Sequence, residues 1–311
     1  MKLRGIPDYE SFDFEIEEPH QDAIERRLVE QLLHRKGKWA VDLGCGYGRL
    51  TPLISERYEN VILMDHSIRG LERAGDSVGS ANKFLVACDV RKPPVVDSSV
   101  DLILMIRVFH HMEHPEEPLR SISRKLRFGG EIILNFNNTF SIPFMLAGFV
   151  NRLFHTDLLN FRMNIFSKLP QMATESGCKR PIYFCPFSFV NTLLKAQALE
   201  LGDMIGVGFM HNSLIERKTE IINLERLTSF ELKFGRLPVV RTLSPDIFVH
   251  CRNTRSDGNN SNVNNSFDIL CCPRCSGRLI GGNGSVKCFR CRSQYPYFGN
   301  ILDLRTDVSM D

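Results

Sequence analysis

Apolar residues along this chain follow two rhythms. Between Pro19 and Leu33 they come in pairs at helical spacing (Ala23-Ile24, Leu28-Val29, Leu32-Leu33), which predicts an amphipathic helix laid on a core. Beyond it, short apolar runs recur at 39–41, 61–64, 84–87, 101–106 and 131–136. Runs of that length with few polar breaks fit parallel strands covered on both faces. Helical segments are predicted at 50–58 and 119–126, so strand and helix alternate and the class is α/β, a Rossmann-like doubly wound sheet. Further along, 187–199 predicts a helix, 202–209 a strand, 221–234 a helix and 243–251 a last strand.

Composition narrows the class of molecule without naming a partner. With 311 residues the chain has room for one large domain and a small one. A formal charge of +3 is too small to argue for nucleic acid, and does not exclude it. The longest apolar run, 142–150, is too short to span a bilayer, and no charged-then-apolar leader opens the sequence. Ten cysteines without such a leader point to metal binding and free thiols, and to a reducing, cytoplasmic location.

The chemistry is concentrated in Trp39–Leu50, WAVDLGCGYGRL. A strand ends in Asp42, glycines alternate at Gly44, Gly46 and Gly48, and a helix follows, an order that brings backbone close to a ligand at the carboxyl edge of a parallel sheet. A dinucleotide fingerprint would need its third glycine where Arg49 stands, and a carboxylate two residues before the first glycine suits a positively charged ligand better than a pyrophosphate. Asp65, ending the 61–64 strand about twenty residues on, is spaced to accept hydrogen bonds from two ribose hydroxyls; a cap on the helix after Ser67 is the plainer role.

This pattern resembles the first motif of the class I S-adenosylmethionine (SAM)-dependent methyltransferases. The stretch from Trp39 to Asn137, with His110-His111 after the fourth strand and Gly129-Gly130 before the fifth, is similar to the methyltransferase type 11 proteins. The resemblance implies a seven-stranded sheet completed by two antiparallel terminal strands. It implies SAM as cofactor, with contacts from Asp42, Gly44, Cys45, Gly46, Asp65, His66, Asp89, Val90 and Arg107, where Asp89 faces the adenine amino group. The implied reaction is in-line displacement of the methyl group onto an acceptor. His111 and His110 are the candidates for a catalytic base, beside packing and metal roles; being adjacent, they point apart in any regular element.

Residues 138–186 depart from the bare fold, with Phe140, Phe144, Phe149, Phe154, Phe161, Phe166 and Phe184 among prolines and basic residues. They read either as a substrate lid suited to an apolar or planar acceptor or as a second small core. After the methyltransferase-like domain, 1–252, residues 253–266 switch to Asn, Ser, Gly and Asp, the composition of a flexible linker. Two Cys-x-x-Cys knuckles follow, Cys272/Cys275 and Cys288/Cys291, whose four thiolates suit tetrahedral structural Zn2+ and leave no open position; Cys271 stands one residue early. Residues 267–311 resemble the Trm112-like zinc ribbons, which bind and activate methyltransferases acting on RNA and translation factors. Three functions follow: methylation of a small-molecule, lipid-like acceptor, the favoured reading; methylation of RNA or protein, with the ribbon for docking; or a non-catalytic SAM-binding protein. A basic face would support the second, and only scattered clusters such as Arg124-Lys125 with Arg127 are present.

Overall fold

The apolar runs of the first half become the parallel core of a sheet. The computed structural model describes residues 18–77, 82–142, 145, 171–173, 182–209, 223–256, 267–282 and 284–306. Strands β1 (Gly37–Leu43), β2 (Tyr58–Asp65), β3 (Asn82–Ala87), β4 (Val100–Met105) and β5 (Leu126–Asn138) run parallel in the order β3-β2-β1-β4-β5. β4 is buried at all six positions, the consequence of helices and connections covering both faces of an unbroken apolar run. β9 (Asp246–Asn253) then pairs antiparallel with β5, and β8 (Leu199–Val207) antiparallel with β9, giving the mixed order β3-β2-β1-β4-β5-β9-β8. The strand order reverses between β1 and β4, and at such a switch point the connections part and leave a crevice at the carboxyl ends.

Helix α1 (Pro19–Leu32) precedes the sheet; α2 (Thr51–Ser55), α3 (Ile68–Ser77) and α4 (Glu116–Ser123) fall between its parallel strands. Two elements differ from the sequence reading. The helix predicted over 50–58 is only the five residues of α2, because Tyr58, 3% exposed, already begins β2. The helix predicted over 119–126 starts earlier and stops at Ser123, since Leu126 pairs with Val100 in the sheet. Gly129-Gly130 therefore lies inside β5, at an irregularity where the ladder with β4 jumps from Leu126 to Glu131. Gly129 has φ +74°, and a Cβ on Gly130 would stand 2.9 Å from the carbonyl of Val100, so both positions need glycine.

Of the segment 138–186, the described parts include β6 (Gln171–Ala173) and β7 (Ile182–Cys185). β6 pairs with β7, and β7 runs parallel to the last residues of β5, at Asn137 and Asn138. Phe144, Phe149, Phe154, Phe161 and Phe166 lie outside the described residues. α5 (Phe187–Ala196) leads into β8, and α6 (Leu224–Phe234) and α7 (Pro238–Leu243) precede β9. No helix among the described residues is long and apolar enough to cross a membrane.

The cysteine-bearing end of the chain packs on the same sheet. β10 (Leu279–Gly282), β11 (Ser285–Cys288) and β12 (Gln294–Phe298) form an antiparallel meander, and β13 (Ile301–Asp303) leaves β12 to pair in parallel with β3. Val96 N–H donates to Ile269 O and Cys271 N–H to Pro94 O, both at 2.9 Å, and Leu304 N–H to Ala87 O at 2.8 Å. Ile269, Leu270, Val286 and Leu302 join Val86, Cys88 and Val95 in one apolar cluster. β13 thus covers what would otherwise be an open sheet edge along β3. Of the expected linker, Asn253 is still in β9, its Nδ2 donating to the carbonyls of Leu126 and Arg127 at 3.0 Å each, and 257–266 lie outside the described residues.

Candidate cofactor site and cysteine cluster

β1 delivers the glycine turn to the carboxyl edge. Gly44, Gly46 and Gly48 have φ of +75°, +56° and +78°, a left-handed conformation that costs other residues roughly 1–2 kcal/mol. Their reasons differ. A Cβ on Gly44 would stand 2.3 Å from Cγ2 of Val108, in the turn after β4, so this glycine answers to packing. Among the described residues, a Cβ on Gly46 would meet nothing within 4 Å, which leaves its backbone open on that side. Open backbone at the end of a parallel strand is what a closely bound ligand requires.

Asp65, at the end of β2, holds this turn in place. Gly46 N–H donates to Oδ2 at 2.8 Å, and Ser67 N–H to Oδ1 at 2.9 Å. The cap on α3 is Ser67, whose Oγ accepts from Gly70 N–H at 3.0 Å. Each Asp65 oxygen keeps a further lone pair for a hydroxyl donor. Asp42 is placed differently: it is buried, and its Oδ2 accepts from Thr51 Oγ1 at 2.6 Å, at the start of α2. Burial pushes its carboxyl up to about 6, against the hydrogen bond from Thr51 and the charge of Arg49. Cys45 is also buried, and burial with the Asp42 charge pushes its thiol well above the usual range.

The edge at β3 carries Asp89, Val90 and, across from them, His66. Arg91 grips the Asp89 carboxylate, Nε to Oδ1 at 2.9 Å and Nη2 to Oδ2 at 2.8 Å. Burial raises the Asp89 carboxyl, but the hydrogen bonds from Arg91 outweigh it and hold the group below its usual range. Val90 packs half-buried against the core. The His66 carbonyl accepts from Nη1 of Arg305 at 3.3 Å, and burial together with Arg305 pushes the imidazole down. Arg305 in turn pairs with Asp303 through Nη2 at 2.8 Å, so the cysteine-bearing end reaches the residue after Asp65.

Arg107 adopts φ +60°, a strained conformation held by its N–H donating to Asn135 Oδ1 at 2.6 Å. Its Nε donates to Glu25 at 2.8 Å, and Arg49 donates to Asp22 at 2.8 Å and also to Glu25. Burial raises the Glu25 carboxyl, yet Arg107 and Arg49 outweigh burial and bring it to about 2. The sequence reading missed this helix-borne acid. A signal was present: Glu25 falls on the same stripe of α1 as Ile24, Leu28 and Val29, so the helix that packs by those residues buries it too.

His110 and His111 sit on a 3₁₀ turn, Phe109–His111, after β4. They do not point apart as expected: their rings meet edge to face, 4.2 Å apart at 63°. His110 is 7% exposed, its Nδ1 has no hydrogen-bond partner among the described residues, and burial, His111 and Arg107 push it well below its usual range. Its surroundings thus favour the neutral imidazole. Neither belongs to the groups of side chains placed to share a metal ion among the described residues.

The four knuckle cysteines converge as their spacing predicts. The Sγ atoms of Cys272, Cys275, Cys288 and Cys291 all lie within 4.8 Å of one another, with Cys272–Cys291 and Cys275–Cys288 at 3.5 Å each. A Cβ on Gly277 would stand 3.0 Å from the Cys288 sulfur and 3.2 Å from that of Cys275, so glycine makes room for the sulfurs. The Tyr295 hydroxyl lies 3.0 Å from Cys272 Sγ. This set could hold a metal ion. Cys271 is not part of it; its N–H makes the join to Pro94.

Comparison with known proteins agrees with this layout. Residues 41–134 match the family described as a methyltransferase domain. A protein of Encephalitozoon cuniculi named as a methyltransferase is 31% identical over 114 residues, covering 35% of this chain and 49% of its own. A malonyl-[acyl-carrier protein] O-methyltransferase of Hamiltonella defensa is 25% identical over 115 residues, covering 37% and 44%. The chain thus spans about half the length of the curated relatives it matches. Among solved structures, an S-adenosylmethionine-dependent methyltransferase of Listeria monocytogenes aligns with TM-score 0.56 at 13% identity, over 76% of this chain and 100% of that one. A Haloferax volcanii complex between the Trm112 methyltransferase activator and a methyltransferase aligns with TM-score 0.50 at 14% identity, over 79% and 96%. Residues 41–134 thus match a methyltransferase domain, and the fold, with its mixed central sheet, is that of the solved SAM-dependent methyltransferase structure.

Proposed function

We propose that this protein binds SAM in the crevice above β1 and β2 and transfers its methyl group to a small-molecule, apolar or lipid-like acceptor. The observation that carries the reading is the open Gly46 backbone, fixed by the Asp65 carboxylate at 2.8 Å. When bound, SAM supplies an electrophilic methyl group on a sulfonium that leaves as neutral sulfide, so catalysis rests mainly on holding acceptor and donor in line. Gly46 admits the ligand, Gly44 lets the turn pack against Val108 beneath it, and Asp65 accepts from the ribose hydroxyls. Asp42, deep beneath the turn, sets its shape and contributes negative potential toward the amino acid end. Asp89, though gripped by Arg91, retains carboxylate lone pairs toward the adenine. Cys45, His66 and Val90 complete the walls, and Arg107 ties the wall to α1. A neutral His110, and His111 beside it, can accept a proton from an acceptor hydroxyl.

Within the same proposal, the four cysteines hold Zn2+ as thiolates, four donors that close the coordination shell, and residues 267–311 form a zinc ribbon. A macromolecular acceptor, RNA or protein, is the second reading. It is favoured by the pairing of β13 with β3 and by the similarity to a fold solved together with Trm112. The acceptor is tested with SAM carrying a labelled methyl group, purified protein and extract from its own source. Label in the organic-soluble phase is the expected result. Label in an acid precipitate, sensitive to ribonuclease or protease, would overturn the small-molecule acceptor in favour of the second reading.

A further inference from the structure

A second cluster of metal-ligating side chains stands at the opposite edge of the sheet from the glycine turn. His34 follows the end of α1, Asp203 lies in β8 and His250 in β9. One ligand atom from each falls within 4.8 Å of the other two. His34 Nε2 is 2.8 Å from Asp203 Oδ2, and the two imidazoles meet edge to face with centroids 5.0 Å apart.

Two features separate this cluster from an ordinary surface ion pair. The first is a β-bulge. The β8–β9 ladder runs from Leu201↔Cys251 to Met204↔Val249, so Gly202 and Asp203 together oppose the single residue His250. Such a bulge re-aims side chains, and here it brings Asp203 toward His250. A Cβ on Gly202 would stand 2.9 Å from His250 Nδ1, so glycine at the bulge keeps that nitrogen clear. The second is His250 itself: it is 7% exposed, and its Nδ1 has no hydrogen-bond partner among the described residues. A simple His34–Asp203 pair at the half-exposed surface needs neither. Behind the ring, Glu131 Oε2 lies 3.4 Å from His250 Nε2, and Arg35 Nε holds Glu131 Oε1 at 3.1 Å. A carboxylate behind the far nitrogen of a ligating histidine fixes its tautomer and orientation.

We propose that His34, Asp203 and His250 form a second metal site that takes a first-row divalent cation of the Zn2+ class. Two imidazoles and one carboxylate are donors that Zn2+ accepts at about 2.0–2.2 Å, and three protein ligands leave the fourth tetrahedral position to water. His34 and Asp203 are half-exposed and can rotate the short distance needed to separate around an ion, while buried His250 provides the fixed ligand. The ion would tie the end of α1 to the terminal strands, far from the glycine turn, and acts as a fastening for the fold.

The test counts metal in the full-length protein. After equilibrium dialysis against Zn2+, elemental analysis is expected to find two ions per chain, one on the four cysteines and one here. His34→Ala and Asp203→Asn, both at half-exposed positions, should each lower the count to one and leave the circular dichroism unchanged. Titration with Co2+ gives a second readout: the ion bound here should show visible absorption without the sulfur charge-transfer band of the cysteine site. One ion per chain in the wild type, or two in both variants, would overturn the proposal.

Discussion

Gly44 and Gly46 share a backbone conformation but answer to different neighbours, and substitution separates them. An alanine Cβ at position 44 meets Val108 at 2.3 Å on top of the φ +75° penalty. Gly44→Ala should therefore cost about 3 kcal/mol of stability in denaturant titration, strain plus overpacking. At Gly46 the Cβ meets nothing among the described residues, so Gly46→Ala should cost only roughly 1–2 kcal/mol of stability while weakening SAM binding disproportionately. Equal loss of affinity in both, scaled only by stability, would remove Gly46 from the cofactor wall. Asp42 adds a pH-dependent test. Its folded carboxyl titrates near 6, above the ordinary 3.8, so the buried charge costs stability increasingly as pH rises from about 4 through 6. Asp42→Asn is expected to raise the melting temperature at pH 8 relative to pH 4, and to weaken SAM binding.

Helix α1 illustrates what a single element contributes beyond its apolar stripe. Glu25 is buried between Arg49 and Arg107 and titrates at about 2, below its ordinary 4.5. A lowered folded value means the stabilisation is fully present above about 4.5 and fades as pH falls toward 2, on the order of 3 kcal/mol in all. Glu25→Gln leaves two arginines without their shared charge, and should cost about 3–5 kcal/mol at neutral pH. The gap between wild type and variant in urea titrations should close as pH falls from 4.5 toward 2; a gap independent of pH would contradict the ion-pair account. The elements themselves were mostly legible. The apolar runs fixed β1 to β5 because covered parallel strands have no other way to read. The ends of α2 and α4 were not, because burial of Tyr58 and the pairing of Leu126 are tertiary effects that override local propensity. Within the candidate site, the glycines and Asp65 stood out through spacing. Arg305 did not, since it meets His66 across 239 residues of sequence.

At the scale of the whole molecule, the cysteine-bearing end completes the sheet that carries the candidate site. β13 pairs with β3, and Arg305 reaches the carbonyl of His66. A segment as short as 267–306 closes a fold of its own poorly without the proposed zinc. A strong chelator, or Cys288→Ser, should therefore expose 267–306 to protease, lower the melting temperature and uncover the β3 edge to aggregation. Survival of protease resistance under chelation would contradict the four-cysteine metal site. We propose the glycine turn and Asp65 as the SAM site. Calorimetric titration of SAM into the wild type and Asp65→Ala tests it most directly. The expected result is one site per chain in the wild type and binding weaker by roughly tenfold or more in the variant, about 1.4 kcal/mol or above, with an unchanged far-ultraviolet spectrum. Absence of binding by the wild type, or equal affinity in the two proteins, would contradict it.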